Sequence, residues 1–247
     1  MKNSIAKIAA LLFVIAFANC TNDNPTTQAK PITTPPVIVD TNLPRQLNYL
    51  ALGDSYTIGQ SVCETCRFPE QLRKKLENQN LKNTYTSKII ATTGWTTTNL
   101  IGAIKTQNLP SNYDLVTLLI GVNNQYQNKP FSIYENEFPE LVSIAISLAR
   151  GDKSNVIVVS IPDYAYTPFG KSLTNPSKVS TEIDNYNAFA QKYCTERNIE
   201  FITITDITRQ GLINPLLVAT DGLHPSELAY SNFVERIFPK ASLAIHN

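Results

Sequence analysis

Five short apolar runs recur along the chain: LNYLALG at 47–53, TYTSKIIA at 84–91, DLVTLLIG at 114–121, NVIVVSI at 155–161 and EFITIT at 200–205. Several are apolar without alternation, as strands covered on both faces are. Between them, amphipathic stretches predict helices at about 68–80, 96–107, 132–150 and 177–198, with a last one from about 226. Strands alternating with helices predict a parallel sheet with helices on its faces. The fold class expected is therefore α/β: a three-layer α/β/α arrangement of flavodoxin-like type around a five-stranded parallel sheet. Pro239 is expected to kink or end the last helix. The chain shows no internal repeat and no second domain.

The N-terminal segment follows a different pattern. Lys2 and Lys7 precede the eleven-residue apolar run IAALLFVIAFA, too short to span a bilayer and shaped like a signal peptide core. Cys20 and the polar stretch TNDNPTTQAK follow, so residues 1–20 resemble a bacterial lipoprotein signal whose cysteine is lipidated. Phe17 and Asn19 stand where a typical lipobox has an aliphatic and a small residue, and cleavage by an ordinary signal peptidase is the alternative. Both alternatives export the chain. Residues 21–45 hold five Pro and six Thr with almost no apolar periodicity, the composition of a solvated tether. The folded domain is expected over 46–247, about 200 residues, enough for one sizeable core.

Of the 21 basic residues, removing Lys2 and Lys7 leaves 19 against 20 acidic ones, so the exported chain is nearly neutral. No charge run marks a nucleic-acid or polybasic membrane surface. Membrane attachment is expected only through a lipid on Cys20, and the domain is expected to be a monomer. Cys194 falls on the apolar side of a helical pattern with Ile183, Tyr186, Ala190 and Tyr193, where a buried thiol is the usual outcome. Cys63 and Cys66 have the CxxC spacing of zinc or redox sites. Zinc needs about four ligands, however, and the chain has two histidines. A small loop-closing disulfide is preferred for an exported protein, with redox work as the alternative.

In open parallel sheets, ligands gather at the carboxyl ends of the strands. There the chain is polar and specific: Gly53-Asp54-Ser55 after the first run, Thr92-Thr93-Gly94-Trp95 after the second and Gly121-Val122-Asn123-Asn124 after the third. After the fifth run and a loop comes Asp221-Gly222-Leu223-His224-Pro225. A serine hydroxyl is a poor nucleophile that needs an adjacent base, itself held by a third group. His246 is next to the last residue, where chains fray, so His224, with Asp221 three residues earlier, is the candidate base. Each piece also has a plain structural use: Asp-Ser after a strand caps helices, DGLHP forms turns, and Gly94 and Asn123 suit turns. Their coincidence at strand ends is what favours chemistry.

These blocks resemble the SGNH or GDSL hydrolases, named for Ser, Gly, Asn and His in separate blocks, from about Asn48 to the region of Tyr230. ALGDSYTIG carries the nucleophile position at Ser55, the second block's glycine falls on Gly94, GxN on Gly121 and Asn123, and DxxH on Asp221 and His224. Tyr56 stands where many members have leucine, a variation expected to leave the chemistry untouched. Asn124 replaces the aspartate of GxND, whose family role is mainly structural. The resemblance implies a serine esterase without metal or cofactor: Ser55 attacks, His224 shuttles the proton, and Asp221 orients the imidazole. The N–H groups of Ser55 and Gly94 and the Asn123 amide would form the oxyanion hole.

Other folds fit poorly. GxSxG fails at Thr57, no two of the nine glycines are two apart as GxGxxG demands, and GxxxxGK is absent. Flavin binding suits the topology but leaves Asp221 and His224 without a use. A catalytically silent glycan- or lipid-binding protein on the same fold is the second hypothesis. Family members act on acetylated polysaccharides, lysophospholipids, thioesters or simple esters, so a small-molecule, glycan or lipid ester is the expected partner. The loop at 162–180 is expected to wall the pocket, with Tyr164, Tyr166 and Phe169 available to stack on a sugar, cover an acyl chain or pack the loop.

Overall fold

The computed structural model describes residues 43–246. The expected signal segment, Cys20 and residues 21–42 of the expected tether lie outside the described residues. In chain order the regular elements are β1 (Gln46–Gly53), α1 (Ser55–Ile58), α2 (Phe68–Gln79), β2 (Thr84–Ala91), α3 (Thr97–Thr106), β3 (Leu115–Leu119) and α4 (Val122–Tyr126). They continue with α5 (Phe131–Leu148), β4 (Val156–Val159), α6 (Pro168–Lys171), α7 (Pro176–Arg197), β5 (Glu200–Ile202), α8 (Thr205–Thr208) and α9 (Glu227–His246).

The five strands form one parallel sheet in the order β2-β1-β3-β4-β5. β3 and β4 are buried at every residue, which matches their unbroken apolar sequences. Helices α2 and α9 pack together on one face, while α3, α5 and α7 form the other layer. Each helix turns a spaced apolar stripe to the sheet: Phe68, Leu72 and Leu76 from α2, and Ile183, Tyr186, Ala190 and Cys194 from α7. Fully burying one such aliphatic or aromatic side chain is worth about 1.5–3 kcal/mol. Cys194 is a free, buried thiol, and burial pushes its pKa up to about 12.

Helix ends follow local chemistry. Asn175 caps α7 by accepting from the Lys178 N–H at 3.0 Å, and Asn198 closes it in the left-handed region at φ 54°. β5 is shorter than its apolar run because Ser160 Oγ accepts from the Ile204 N–H at 2.8 Å and pulls the chain out of the sheet. Of the two outcomes expected of Pro239, a kink or an end, the second is corrected: α9 runs through Pro239 to His246. The proline removes one backbone donor, but Ala241, Ala244 and Ile245 beyond it are buried in the core, and that burial keeps the last turns helical.

Candidate active site

The sheet register places the site. Gly53, the last residue of β1, is level with Ala91 of β2 on one side and Leu119 of β3 on the other. The chain leaves β1 for β2 on one side and later returns to β3 on the other, so a crevice opens above β1 and β3 at the point where the strand order reverses. The segments after β1, β2 and β3 all leave the sheet at this level.

Ser55 opens α1, with buried Asp54 as the cap, its Oδ1 accepting from the Tyr56 N–H at 3.0 Å. The Ser55 N–H is one of the first-turn donors that a helix leaves unpaired. It finds no acceptor among the described residues, and neither does the Gly94 N–H. Gly94 lies at φ +84°, a left-handed conformation that favours glycine. Gly121 is at φ +129°, and a Cβ there would come within 2.6 Å of the Tyr134 ring, so the turn into α4 needs a bare backbone. The Asn123 side-chain NH2 donates to Trp95 O at 3.1 Å and, at a long 3.4 Å, to Asp54 Oδ2.

His224 is buried, and its Nδ1 meets Asp221 Oδ2 at 2.6 Å. Asp221 Oδ1 accepts the backbone N–H groups of Leu223 at 2.9 Å and His224 at 3.0 Å. Ser61 Oγ donates to Oδ2 at 2.7 Å. Burial raises the Asp221 pKa, but the bonds from Ser61, His224 and the two backbone groups outweigh it and hold the carboxyl well below the usual range. Asp54 is the opposite case. Burial pushes it up to about 7, and its bonds from Tyr56 and Asn123 offset only part of that.

Ser55, Gly94, Asn123 and His224 line one cavity of about 180 Å³. Its apolar walls come from Tyr56, Val122, Tyr126, Tyr164, Phe169 and Leu223. No hydrogen bond joins Ser55 Oγ to His224; catalytic bonds of this kind are often long without substrate. Asp221 stands behind His224 rather than in the cavity lining. Of the three loop aromatics, Tyr164 and Phe169 form part of the wall. Tyr166 points away, with the Arg209 guanidinium 5.9 Å from its ring. Cys63 and Cys66 are joined as a disulfide, with Cα atoms 5.0 Å apart. Among the described residues no group of three or more His, Cys, Asp or Glu is placed to hold a metal, and no helix is long and apolar enough to cross a membrane. A larger groove of about 610 Å³, floored by Phe131, Tyr186 and Phe189, contains none of Ser55, Asp221 and His224.

Several contributors were not visible in the sequence. Tyr56 is close to the chemistry, its ring centroid 5.2 Å from that of His224. Asn124 clamps the start of α3, accepting from the Thr97 N–H at 3.0 Å and donating to Thr97 Oγ1 at 2.7 Å. An amide serves there better than an acid because it supplies a donor as well as an acceptor. Tyr126 is signalled only by its place four residues after Val122 on α4. For Ser61 no sequence signal exists, since its partner is 160 residues away.

A parallel sheet in this strand order, with a serine at the end of β1 and a paired histidine and aspartate beyond β5, defines the class as a flavodoxin-like α/β hydrolase. Solved structures share the fold. An acetyl xylan esterase from Geobacillus stearothermophilus aligns with a TM-score of 0.62 at 16% identity, over 81% of this chain and 96% of that one. A lipase/acylhydrolase from Enterococcus faecalis gives 0.61 at 18% identity, over 79% and 95%. A member of the lipolytic protein G-D-S-L family from Veillonella parvula gives 0.60 at 17%, over 78% and 97%. A search of curated proteins finds no significant match. The model of the GDSL-like Lipase/Acylhydrolase family matches residues 51–231, and the chain belongs to that family. It is a hydrolase acting on carboxylic ester bonds.

Proposed function

We propose that the protein is an exported serine esterase that cleaves small acyl groups from acylated carbohydrates through Ser55, His224 and Asp221. The 2.6 Å contact between Asp221 Oδ2 and His224 Nδ1, behind a cavity that His224 shares with Ser55, carries this reading. With Nδ1–H held by Asp221, Nε2 is the basic nitrogen. It takes the Ser55 proton as Oγ attacks the ester carbonyl, then returns it to the leaving alcohol, and a water repeats the cycle on the acyl-enzyme. The unpaired N–H groups of Ser55 and Gly94 and the Asn123 amide serve the oxyanion, and each such donor is worth about a hundred- to a thousandfold in rate.

Cavity size supports a small acyl group. About 180 Å³ falls below the roughly 300–1,000 Å³ of pockets for drug-sized ligands, and the walls are mostly aromatic or aliphatic. The structurally similar Geobacillus protein is named an acetyl xylan esterase, and acetylated glycans are accordingly the first substrates to try. Hydrolysis of p-nitrophenyl acetate, butyrate, octanoate and palmitate by the wild type and Ser55→Ala tests both points. Activity is expected to be highest on the two shortest esters and to vanish in Ser55→Ala. Equal rates for the two proteins would remove Ser55 from the mechanism, and a preference for palmitate would refute the small-acyl assignment.

Residues 1–20 as a lipoprotein-type signal, Cys20 as the lipidated residue and 21–45 as a tether complete the proposal. A Cys20→Ser chain expressed in a Gram-negative host is expected to move from the membrane fraction to the soluble one. Unchanged partitioning would rule out the lipid anchor.

A further inference from the structure

We infer that Ser61 is a positioning residue of the esterase, whose hydroxyl holds Asp221, and through it His224, in register with Ser55. The inference rests on the proposed triad. The Asp221 carboxylate receives four donors, two on each oxygen: the N–H groups of Leu223 and His224 on Oδ1, and Ser61 Oγ and His224 Nδ1 on Oδ2. That fills its acceptor capacity. Three of the four donors lie within three residues of Asp221 and move with its turn. Ser61 alone comes from elsewhere, and among the described residues its hydrogen bond is the only one joining residues 54–66 to residues 219–226.

The loop holding Ser61 is tied down around it. The Gln60 N–H donates to Ser55 O at 3.0 Å, the Val62 N–H donates to Gly59 O at 3.2 Å, and Gln60 Oε1 accepts from Thr93 Oγ1 at 2.6 Å, next to Gly94. The Cys63–Cys66 disulfide closes the next turn, and Gln71 Nε2 donates to the Cys66 carbonyl. One short loop therefore touches the nucleophile segment, the Gly94 segment and the Asp221 carboxylate. Ser61 itself sits at φ +67°, a left-handed conformation that serine rarely adopts. Backbone preference alone would put glycine there; the hydroxyl is what serine adds. Ser61 does not line the catalytic cavity, so its removal acts on the geometry of the base and leaves substrate contacts in place.

Ser61→Gly and Ser61→Ala separate hydroxyl from backbone. Glycine removes the hydroxyl and relaxes the left-handed turn, while alanine removes the hydroxyl and keeps the strain. With p-nitrophenyl acetate and rates counted per folded molecule, both variants are expected to lose about five- to tenfold in kcat. KM should stay within about twofold, the pattern of an interaction realised in the transition state. The melting temperature of Ser61→Gly should be equal to or above that of the wild type. A Ser61→Gly enzyme with wild-type kcat would overturn the inference, whether or not Ser61→Ala is impaired. So would a rise in KM at unchanged kcat, since the loop would then shape binding instead. Ser55→Ala, run alongside, tests the triad separately: an active Ser55→Ala refutes the triad whatever Ser61 does.

Discussion

Asp54 and Asp221 each stand beside one member of the proposed catalytic pair, and the protein treats their charges in opposite ways. Asp54 precedes Ser55 and is wholly buried, with one good hydrogen bond from the Tyr56 N–H and a long one from Asn123; burial pushes its pKa up to about 7. The Asp221 side chain is 30% exposed and receives four donors, which hold its charge on down to low pH. Depth and the number of donors together separate the two: Asp54 is fully enclosed with few donors, Asp221 partly exposed with four. A permanently charged carboxylate suits the role proposed for Asp221, which is to steady an imidazolium when His224 accepts a proton. Asp54 caps α1 beside the proposed nucleophile, and its charge near neutral pH is a cost to the fold.

The largest effects should fall on the Asp221 side. His224→Ala is expected to abolish ester hydrolysis, a loss of about 10⁶-fold for a triad base. Asp221→Asn should lose about 10²- to 10⁴-fold, because the amide still fills the space but no longer secures the right tautomer. Asp54→Asn should change kcat/KM by no more than about tenfold, a barrier change of ~1.4 kcal/mol. Steady-state rates of the three variants check the ranking. An Asp54→Asn enzyme as impaired as Asp221→Asn would erase the distinction.

A smaller effect appears in stability against pH. The folded-state pKa of Asp54 is raised from 3.8 to about 7. Between those values the folded chain keeps a proton that the unfolded chain has released, so stability falls as pH rises through the window and levels off above about 7. The penalty at neutral pH is at most ~4 kcal/mol. Asp221 has the opposite sign: its pKa is lowered from 3.8, so its contribution is present above that value and is lost as pH falls through the folded pKa. Denaturant titrations at several pH values should show Asp54→Asn with a flattened slope between pH 4 and 7, and Asp221→Asn with a weakened loss below pH 4. A wild-type slope in Asp54→Asn would place the pH dependence on another group.

Much of the fold was legible along the chain because it depends on short-range pattern. β2 occupies the predicted 84–91, and the long helices begin and end within two residues of their predicted bounds. The apolar runs of β3 and β4 announced strands covered on both faces. Pro239 does not end α9, because one lost hydrogen bond is a local signal, whereas the buried Ala241, Ala244 and Ile245 that keep the helix going act through packing with distant strands and helices. Of the three loop aromatics offered for pocket wall or loop packing, Tyr164 and Phe169 form the wall and Tyr166 faces Arg209, because the tight helical turn at Tyr164–Tyr166 sends side chains two residues apart in different directions.

The residue types for acyl transfer, their places at strand ends and the Asp221–His224 spacing were set by the sequence, because strand ends and short turns are local. Tertiary structure alone decided what surrounds them. The ring of Tyr56 against His224, the amide of Asn124 on Thr97, the uneven environments of Asp54 and Asp221, and the Ser61 hydroxyl on Asp221 all depend on contacts between segments. In the case of Ser61, those segments are 160 residues apart. A hydrogen bond between distant loops leaves no period or spacing in the chain; only the packed fold, which sets the turn before α9 beside the segment that leaves β1, brings those segments within reach.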